Sequence, residues 1–353
     1  MKVKRRVLHL VDHMGLGGAQ RLIQGLVTNG YGNAIIALRR KGKLIGKIPD
    51  GIPIFIGEYF PLAYFFSLQK IYQVIRKFNI KYIHCHLPIS VVFGIVLSYL
   101  DPSLRFVFHE HGDLAGGNWL YRILLSKAAK RGKIIVNSKN QKKLCQKIGL
   151  KNELVLIYNF INHNEFYIDR EDGDNFREKL GLGKEKILIG FAGRLIPSKG
   201  WEDLLLVWQG ISRSNVVLII AGDGNDFPRI EKYAQNYQIS NFQLLGHIVE
   251  MRAFYNALDI FVLPTKIEAF GLSQIEAQAC GVPTIVYNTK GLNETVDRSN
   301  SILVKLESIE ELQVATESLL AKLDLREKMS KAGISNAGRF TAKKYIKKLL
   351  EDV

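Results

Sequence analysis

Residues 260–283 read IFVLPTKIEAFGLSQIEAQACGVP. The short apolar run closed by Pro264 predicts a strand, the stretch to Gly271 a turn, and the pattern from Leu272 a helix ending near Gly281. A strand feeding a helix through a tight turn is the unit of a parallel sheet covered by helices. The same alternation spreads outwards on both sides. ILIGFAG (187–193), WEDLLLVW (201–208), VVLIIAG (216–222), a helix from Pro228, FQLLG (242–246), PTIVY (283–287) and ILV (302–304) form one run around it. VLHLV (7–11), a helix from Ala19, NAIIAL (33–38), IPIFIG (52–57), a helix over 62–78, KYIHCH (81–86), RFVFHEH (105–111), KIIVNS (133–138) and LVLIYN (154–159) form an earlier one. Each run predicts one doubly wound α/β domain. Residues 162–186 are polar and predict a linker followed by a short helix, which sets domains at 1–165 and 166–340. Residues 341–352 form a lysine-rich amphipathic helix with Tyr345, Ile346, Leu349 and Leu350 on its apolar side.

A chain of 353 residues, 47% hydrophobic and 23% charged, can bury two cores of this kind. The longest apolar run, around Val91–Leu100, is closed by Asp101 and Pro102 and falls short of a membrane span. The basic start is followed by too short an apolar stretch for a signal peptide, so a cytoplasmic protein is expected. Cys85, Cys145 and Cys280 have no metal-type spacing and read as buried thiols. Residues 1–165 hold 25 Lys and Arg against 8 Asp and Glu, a net of +17 that contains the whole excess of the chain. That half is expected to face something acidic.

Ligands bind at the carboxyl ends of parallel strands, so the turns after strands are where chemistry is sought. After the first strand, Gly15, Gly17 and Gly18 precede a helix. Their backbone N–H groups can approach a phosphate, although the pattern equally fits a turn that only reverses the chain. After 187–193, Gly193, Arg194 and Lys199 flank a turn and Gly200 precedes a helix. A guanidinium fork and an ammonium suit a diphosphate that gains charge as its bond to a sugar breaks. Gly224 stands in the corresponding turn after 216–222. In the central segment Glu268 lies in the loop and Glu276 about one turn into the helix, with Ala269, Phe270, Gly271 and Leu272 between them. Carboxylates accept from vicinal hydroxyls, so two at this separation can hold the sugar and the ribose of one donor. The N–H groups after Gly271 suit sugar or phosphate oxygens.

With these residues in place, the chain resembles family 4 of the retaining glycosyltransferases. The matching segments are GGAQR, HEHG, VNS, YN, AGR with SKG, AGDG, LPT, EAFGLSQIEAQACGVP and GLNE. The resemblance implies a GT-B fold, with two Rossmann-like domains facing across a cleft and the last helix crossing back to the first domain. It implies a nucleoside-diphosphate sugar donor, UDP or GDP, with no cofactor and no metal. Glu268 then contacts the donor sugar and Glu276 the ribose, Arg194 and Lys199 bind the diphosphate, and His111 points at the sugar. The chain departs from the family pattern at Gln20, where Glu is usual, and at Ala269 and Phe160, where Gly is usual, which bears on sugar preference more than on fold.

Other readings stay open at this point. HCH (84–86) and HEH (109–111) each put two histidines on one face of a strand, a zinc pattern if the strands are adjacent, but no Cys or carboxylate completes the spacing. Asp172 and Asp174 spell a D-x-D, placed in the linker as a solvated turn. A nucleotide-sugar epimerase, a silent nucleotide-sugar-binding protein and a nucleic-acid-binding protein are alternatives, the last without a recognition helix or aromatic strand to support it. Finally, Tyr59, Phe60, Leu62, Tyr64, Phe65, Phe66 and Leu68, with Lys70, Arg76 and Lys77, predict a basic apolar patch. With the basic run from Arg122 to Lys147, it predicts peripheral binding to the inner face of an anionic membrane and a glycan or lipid-linked acceptor in surface polysaccharide or glycolipid synthesis.

Overall fold

The computed structural model describes residues 6–15, 17–40, 42–57, 63–112, 119–151, 153–211 and 213–353. The chain forms two compact units, residues 1–160 with 341–353, and residues 161–340. Residues 161–165 therefore belong with the second unit instead of the first.

The first unit holds a seven-stranded parallel sheet. Its strands are β1 (Val7–His13), β2 (Ala34–Arg40), β3 (Ile54–Ile56), β4 (Tyr82–His86), β5 (Arg105–Glu110), β6 (Gly132–Val136) and β7 (Leu154–Leu156), in the order β3-β2-β1-β4-β5-β6-β7. The helices are α1 (Gly18–Thr28), α2 (Ala63–Lys77), α3 (Pro88–Leu100), α4 (Trp119–Ala129) and α5 (Lys139–Lys147). Leu8, Leu10, Ile83, Cys85, Phe106 and Phe108 fill one face of the sheet together with α2, α3 and α4. The run 91–100, read only as too short for a membrane, is the body of α3 lying on that face.

The second unit holds a six-stranded parallel sheet. Here β8 (Ile187–Ala192), β9 (Val216–Ala221), β10 (Phe242–Gly246), β11 (Ile260–Leu263), β12 (Thr284–Tyr287) and β13 (Ser301–Val304) run in the order β10-β9-β8-β11-β12-β13. Its helices are α6 (Arg170–Lys179), α7 (Trp201–Gly210), α8 (Phe227–Asn236), α9 (Met251–Ala257), α10 (Leu272–Ala279), α11 (Ile309–Ala321) and α12 (Leu323–Ala337). Both orders reverse direction beside their first strand, so each sheet has a topological switch point, at β1/β4 and at β8/β11, which is where a parallel sheet opens a crevice for ligands.

The stretch 162–186 is not a free linker. Asp169 caps α6 by accepting from Asp172 N at 3.1 Å, and Gly173 lets α6 press against α9, since a side chain there would collide with the carbonyl of Asn256. Buried Arg177 donates to Ala257 O, Lys186 O and Asp259 Oδ2, each at 2.8 Å. Asp172 and Asp174 accordingly sit on a helix and not in a solvated turn. Asp172 pairs with Arg252 at 2.8 Å and Asp174 with Lys184 at 2.5 Å.

The last helix, α13 (Ala342–Asp352), packs in the first unit. Thr341 caps it by accepting from Lys344 N, and the lysines keep to the outer face. Tyr345, Ile346 and Leu349 are buried with Leu22, Leu26, Val107, Ile135 and Phe160. Phe160 has room only because residue 25 is glycine, where a Cβ would stand 2.6 Å from the ring. Leu349 is fully buried, and Leu349→Ala is expected to cost roughly 2–5 kcal/mol. Urea unfolding of the full chain checks this, and a midpoint equal to wild type would show that α13 does not hold the first unit together.

Candidate functional site

In the second unit the turns after β8, β9, β11 and β12 are pulled together by glycines. A side chain at Gly200 would strike Pro264 O, at Gly222 it would strike Gly193 O, at Gly224 Leu195 O, and at Gly291 Glu268 O. Only hydrogen fits at such approaches. Main-chain bonds fasten the same loops. Leu195 N donates to Asp223 O at 2.9 Å and Lys266 N to Ser198 O at 2.8 Å. Gly193 and Arg194 are thereby placed against the turn that holds Gly224, and Lys199 and Gly200 against residues 264–266, at the carboxyl edge of the sheet and its switch point.

Arg194 is exposed and makes no ion pair among the described residues. Lys199 ends a short 3-10 turn, Pro197–Lys199, and its Nζ lies 2.6 Å from Glu268 Oε2 with both side chains mostly buried. The residues read separately as a phosphate cation and a sugar carboxylate thus form one ion pair. The other Glu268 oxygen accepts from Ala269 N at 3.1 Å. Gly271 takes φ +80°, a left-handed conformation that a side chain resists, and opens α10 at Leu272, which is half-buried. Phe270 turns its ring inward against Phe340, so it offers a ligand only its backbone.

Glu276, one turn into α10, is buried and accepts at Oε2 from the hydroxyl of Tyr255 at 2.9 Å. Tyr255 comes from α9 and carried no mark in the sequence that distinguished it from a core aromatic. Behind α10, Gln278 donates to Thr284, Ser301 and Asn300 and accepts from Asn336 of α12 at 2.7 Å, fixing the helix that bears Glu276.

Gly17, Gly18 and His111 lie in the first unit. Gly17 is the extended N-cap of α1 and Gly18 its first residue, so the expected N–H cradle stands at a helix N-terminus. Nearby, Gln20 is buried with its amide 3.5 Å from His13 Nδ1. His111 follows β5 and joins a cluster that the sequence showed only in pieces. The strands β1, β4 and β5 are adjacent, pairing His9 with His84 and His86 with His109. The rings of His84 and His86 stack at 4.0 Å and those of His109 and His111 at 3.8 Å. His9 Nε2 meets Tyr31 O at 3.0 Å, His9 Nδ1 meets His86 Nε2 at 3.1 Å, and His86 Nδ1 meets His111 Nε2 at 3.3 Å. Burial lowers all five, His9 to about 4 and His111 to about 3, with His84, His86 and His109 well below the usual imidazole range. Two trios, His9 with His84 and His86, and His86 with His109 and His111, have ring nitrogens within 4.8 Å of one another, a spacing able to hold a metal ion. Neither trio includes a thiolate or carboxylate to offset a dication.

Residues 172–336 match the family described as Glycosyl transferases group 1, and residues 18–165 match Glycosyltransferase Family 4. The D-inositol 3-phosphate glycosyltransferase of Segniliparus rotundus is 31% identical over 175 residues, which are 47% of this chain and 39% of that protein. The capsular polysaccharide biosynthesis glycosyltransferase CapM of Staphylococcus aureus is 29% identical over 206 residues, 56% of this chain and 54% of that one. The matches thus span about half or less of these curated relatives. Among solved structures, Anabaena HepE in complex with UDP and glucose aligns over 98% of both chains with TM-score 0.87 at 18% identity. The fold is accordingly that of the GT-B transferases, and the comparisons lend no support to an epimerase. With each unit matched by its own family and the fold shared along the chain, the protein belongs to family 4 of the glycosyltransferases.

Proposed function

We propose that the protein transfers a sugar from a nucleoside-diphosphate sugar, UDP or GDP, to a hydroxyl of a glycan or lipid-linked acceptor, with retention and without a metal. The observation that carries this reading is the Lys199–Glu268 pair at the β8/β11 switch point, just before the start of α10, with Arg194 exposed on the same turn as Lys199. A departing diphosphate gains negative charge, and an Arg fork with a Lys ammonium stabilises it in the role that a metal ion serves elsewhere. Lys199 has three N–H donors, so it can keep Glu268 oriented while turning another to phosphate. Glu268 then accepts from sugar hydroxyls, and Glu276, aimed by Tyr255, accepts from the ribose. Both glutamates are engaged by partners, which supports a front-face displacement in which leaving phosphate and acceptor meet on the same side. The UDP and glucose bound to HepE and the capsular role named for CapM support the donor class and the product class.

The acidic partner expected of the first unit is, on this reading, an anionic bilayer. Of the patch expected at 59–68, Tyr59, Phe60 and Leu62 lie outside the described residues, as do the side chains of Tyr64 and Phe65. Leu68 packs on the core, and Phe66 is exposed. A further exposed apolar surface is on α3 and α4, which pack together and present Val92, Val96, Tyr99 and Leu100 beside Trp119, Leu120 and Ile123. Arg122, Lys127 and Lys130 are exposed along α4 and its end, and the Arg131 guanidinium covers the Tyr99 ring at 3.4 Å. Apolar side chains ringed by cations suit reversible insertion at a headgroup boundary. Among the described residues no helix is long and apolar enough to cross a membrane.

Arg194→Ala or Lys199→Ala is expected to lower turnover by roughly 10²-fold with the unfolding transition retained; wild-type turnover in both would remove the phosphate assignment. Titration of UDP and GDP tests the ribose role. Glu276→Ala should weaken the nucleotide that binds, Tyr255→Phe should weaken it less, and unchanged binding in Glu276→Ala would overturn the assignment. For the surface, full-length protein should pellet with anionic but not neutral liposomes, be released by high salt, and lose pelleting in Trp119→Ser with Leu120→Ser. Equal behaviour with both vesicle types would reject the bilayer.

A further inference from the structure

The four histidines packed beneath His111 have no part in the chemistry above. Two of them form, with His111, a chain of rings whose direction is set at one end. Tyr31 O is a carbonyl and can only accept, so His9 Nε2, 3.0 Å away, must carry the proton. The burial that keeps each of these rings neutral leaves it one N–H and one bare nitrogen. His9 Nδ1 is therefore bare and accepts from His86 Nε2 at 3.1 Å. His86 Nδ1 is bare in turn and accepts from His111 Nε2 at 3.3 Å.

We propose that Tyr31 O, His9 and His86 form a relay of positioning groups that holds His111 in its Nε2–H tautomer, so that His111 presents an unprotonated Nδ1 as a hydrogen-bond acceptor to the donor sugar. The proposal rests on the reading above that His111 acts at the transferred sugar. His111 Nδ1 makes no hydrogen bond among the described residues. The far end of the relay is sealed by packing. Gly32 has φ +137°, and a Cβ there would stand 2.7 Å from His9 Nε2, so the ring is wedged with its N–H on the carbonyl. The near end is held where Ser90 Oγ donates to His86 O and Asp12 accepts from Ile89 N and Ser90 N, tying the end of β4 to β1 at the first sheet's switch point. An imidazole whose second nitrogen is engaged has its tautomer chosen for it, the role a carboxylate plays behind a catalytic histidine. Here a backbone carbonyl makes the choice two rings away and adds no charge. A bare Nδ1 favours donors that present a hydroxyl to His111 and disfavours those that present a carboxylate.

Long-range ¹H–¹⁵N spectra of the full chain labelled at histidine identify the protonated nitrogen in each ring. His9, His86 and His111 are all expected as Nε2–H, and an Nδ1–H form of His111 in the wild type would overturn the relay. His86→Phe keeps a ring but no acceptor, so His111 should populate both tautomers and kcat should fall on the order of 10-fold, with donor KM changing less. His86→Asn, whose side-chain carbonyl can stand where Nδ1 stood, should restore both the tautomer and much of kcat. Stoichiometric zinc in the purified protein, with the histidine signals moving on chelation, would also overturn the relay, because a metal on His9 Nδ1 and His86 Nε2 takes the lone pair and displaces the proton that the chain requires. His111→Ala with undiminished turnover would instead remove the sugar role of His111, while the wild-type spectrum still decides the relay.

Discussion

Close approach of main chain to main chain at the carboxyl edge of the second sheet is the constraint on which the site depends. Gly200, Gly222, Gly224 and Gly291 each face a carbonyl oxygen from a different loop, at a distance that leaves no room for a Cβ. A methyl at any of them forces two loops apart, because backbone cannot yield as a side-chain tip can. The gathered loops bring Lys199 to 2.6 Å from Glu268 although the two are 69 positions apart in the chain. Gly291 serves by the space it leaves alone, since its φ is an ordinary −75°, whereas Gly200 and Gly222 also take positive φ.

The pairing of Lys199 with Glu268 is a second consequence of that gathering. A carboxylate taken mostly out of water needs a partner, and removing one member of such a pair leaves the other charge uncompensated. The lysine holds Glu268 in place, and in the proposed function it also has N–H donors left to share with phosphate. Glu276 is solved differently. It is buried and accepts from the hydroxyl of Tyr255, which helps to orient it.

What the sequence made legible follows from how local the signal is. The strands of both sheets were readable because strands buried on both faces are short apolar runs, and the turns between them carry their own glycines. The segment 260–283 declared strand, turn and helix because all three are consecutive. Contacts between distant residues were not readable in this way. Glu276 is 21 positions from Tyr255, and nothing in MRAFYNALD separates that tyrosine from its aromatic neighbours. The polar stretch 162–186 predicts a linker followed by a short helix, and α6 is that helix, but the stretch does not predict that Arg177 and Gly173 fix it to the second unit through partners some 80 positions away. Hydropathy alone did not distinguish the faces of α3, where Val92, Val96 and Tyr99 lie on the surface while the other side fills the core. A run of apolar residues gives the same signal whether one face or both are covered.

The histidines show the same limit most sharply. HCH and HEH were visible as pairs on strand faces, but whether they meet depends on strand order and register, which no local pattern records. With β1 beside β4 and β4 beside β5, His9, His84, His86 and His109 fall on one face, and four imidazoles enter a region that excludes water. Such a group is costly to bury. Neither ring nitrogen of His84 has a hydrogen-bond partner, nor does Nε2 of His109. An arrangement chosen for stability alone would place apolar residues here, as the other face of the same strands does with Leu8, Leu10, Ile83 and Phe108. The unsatisfied nitrogens lie beside the directional chain and not within it. The cost is therefore localised on rings that pack the relay, while every nitrogen from His9 to His111 Nε2 is satisfied. That contrast on a single sheet face separates a stack that merely fills space from a path that carries orientation to one atom at the sheet's edge.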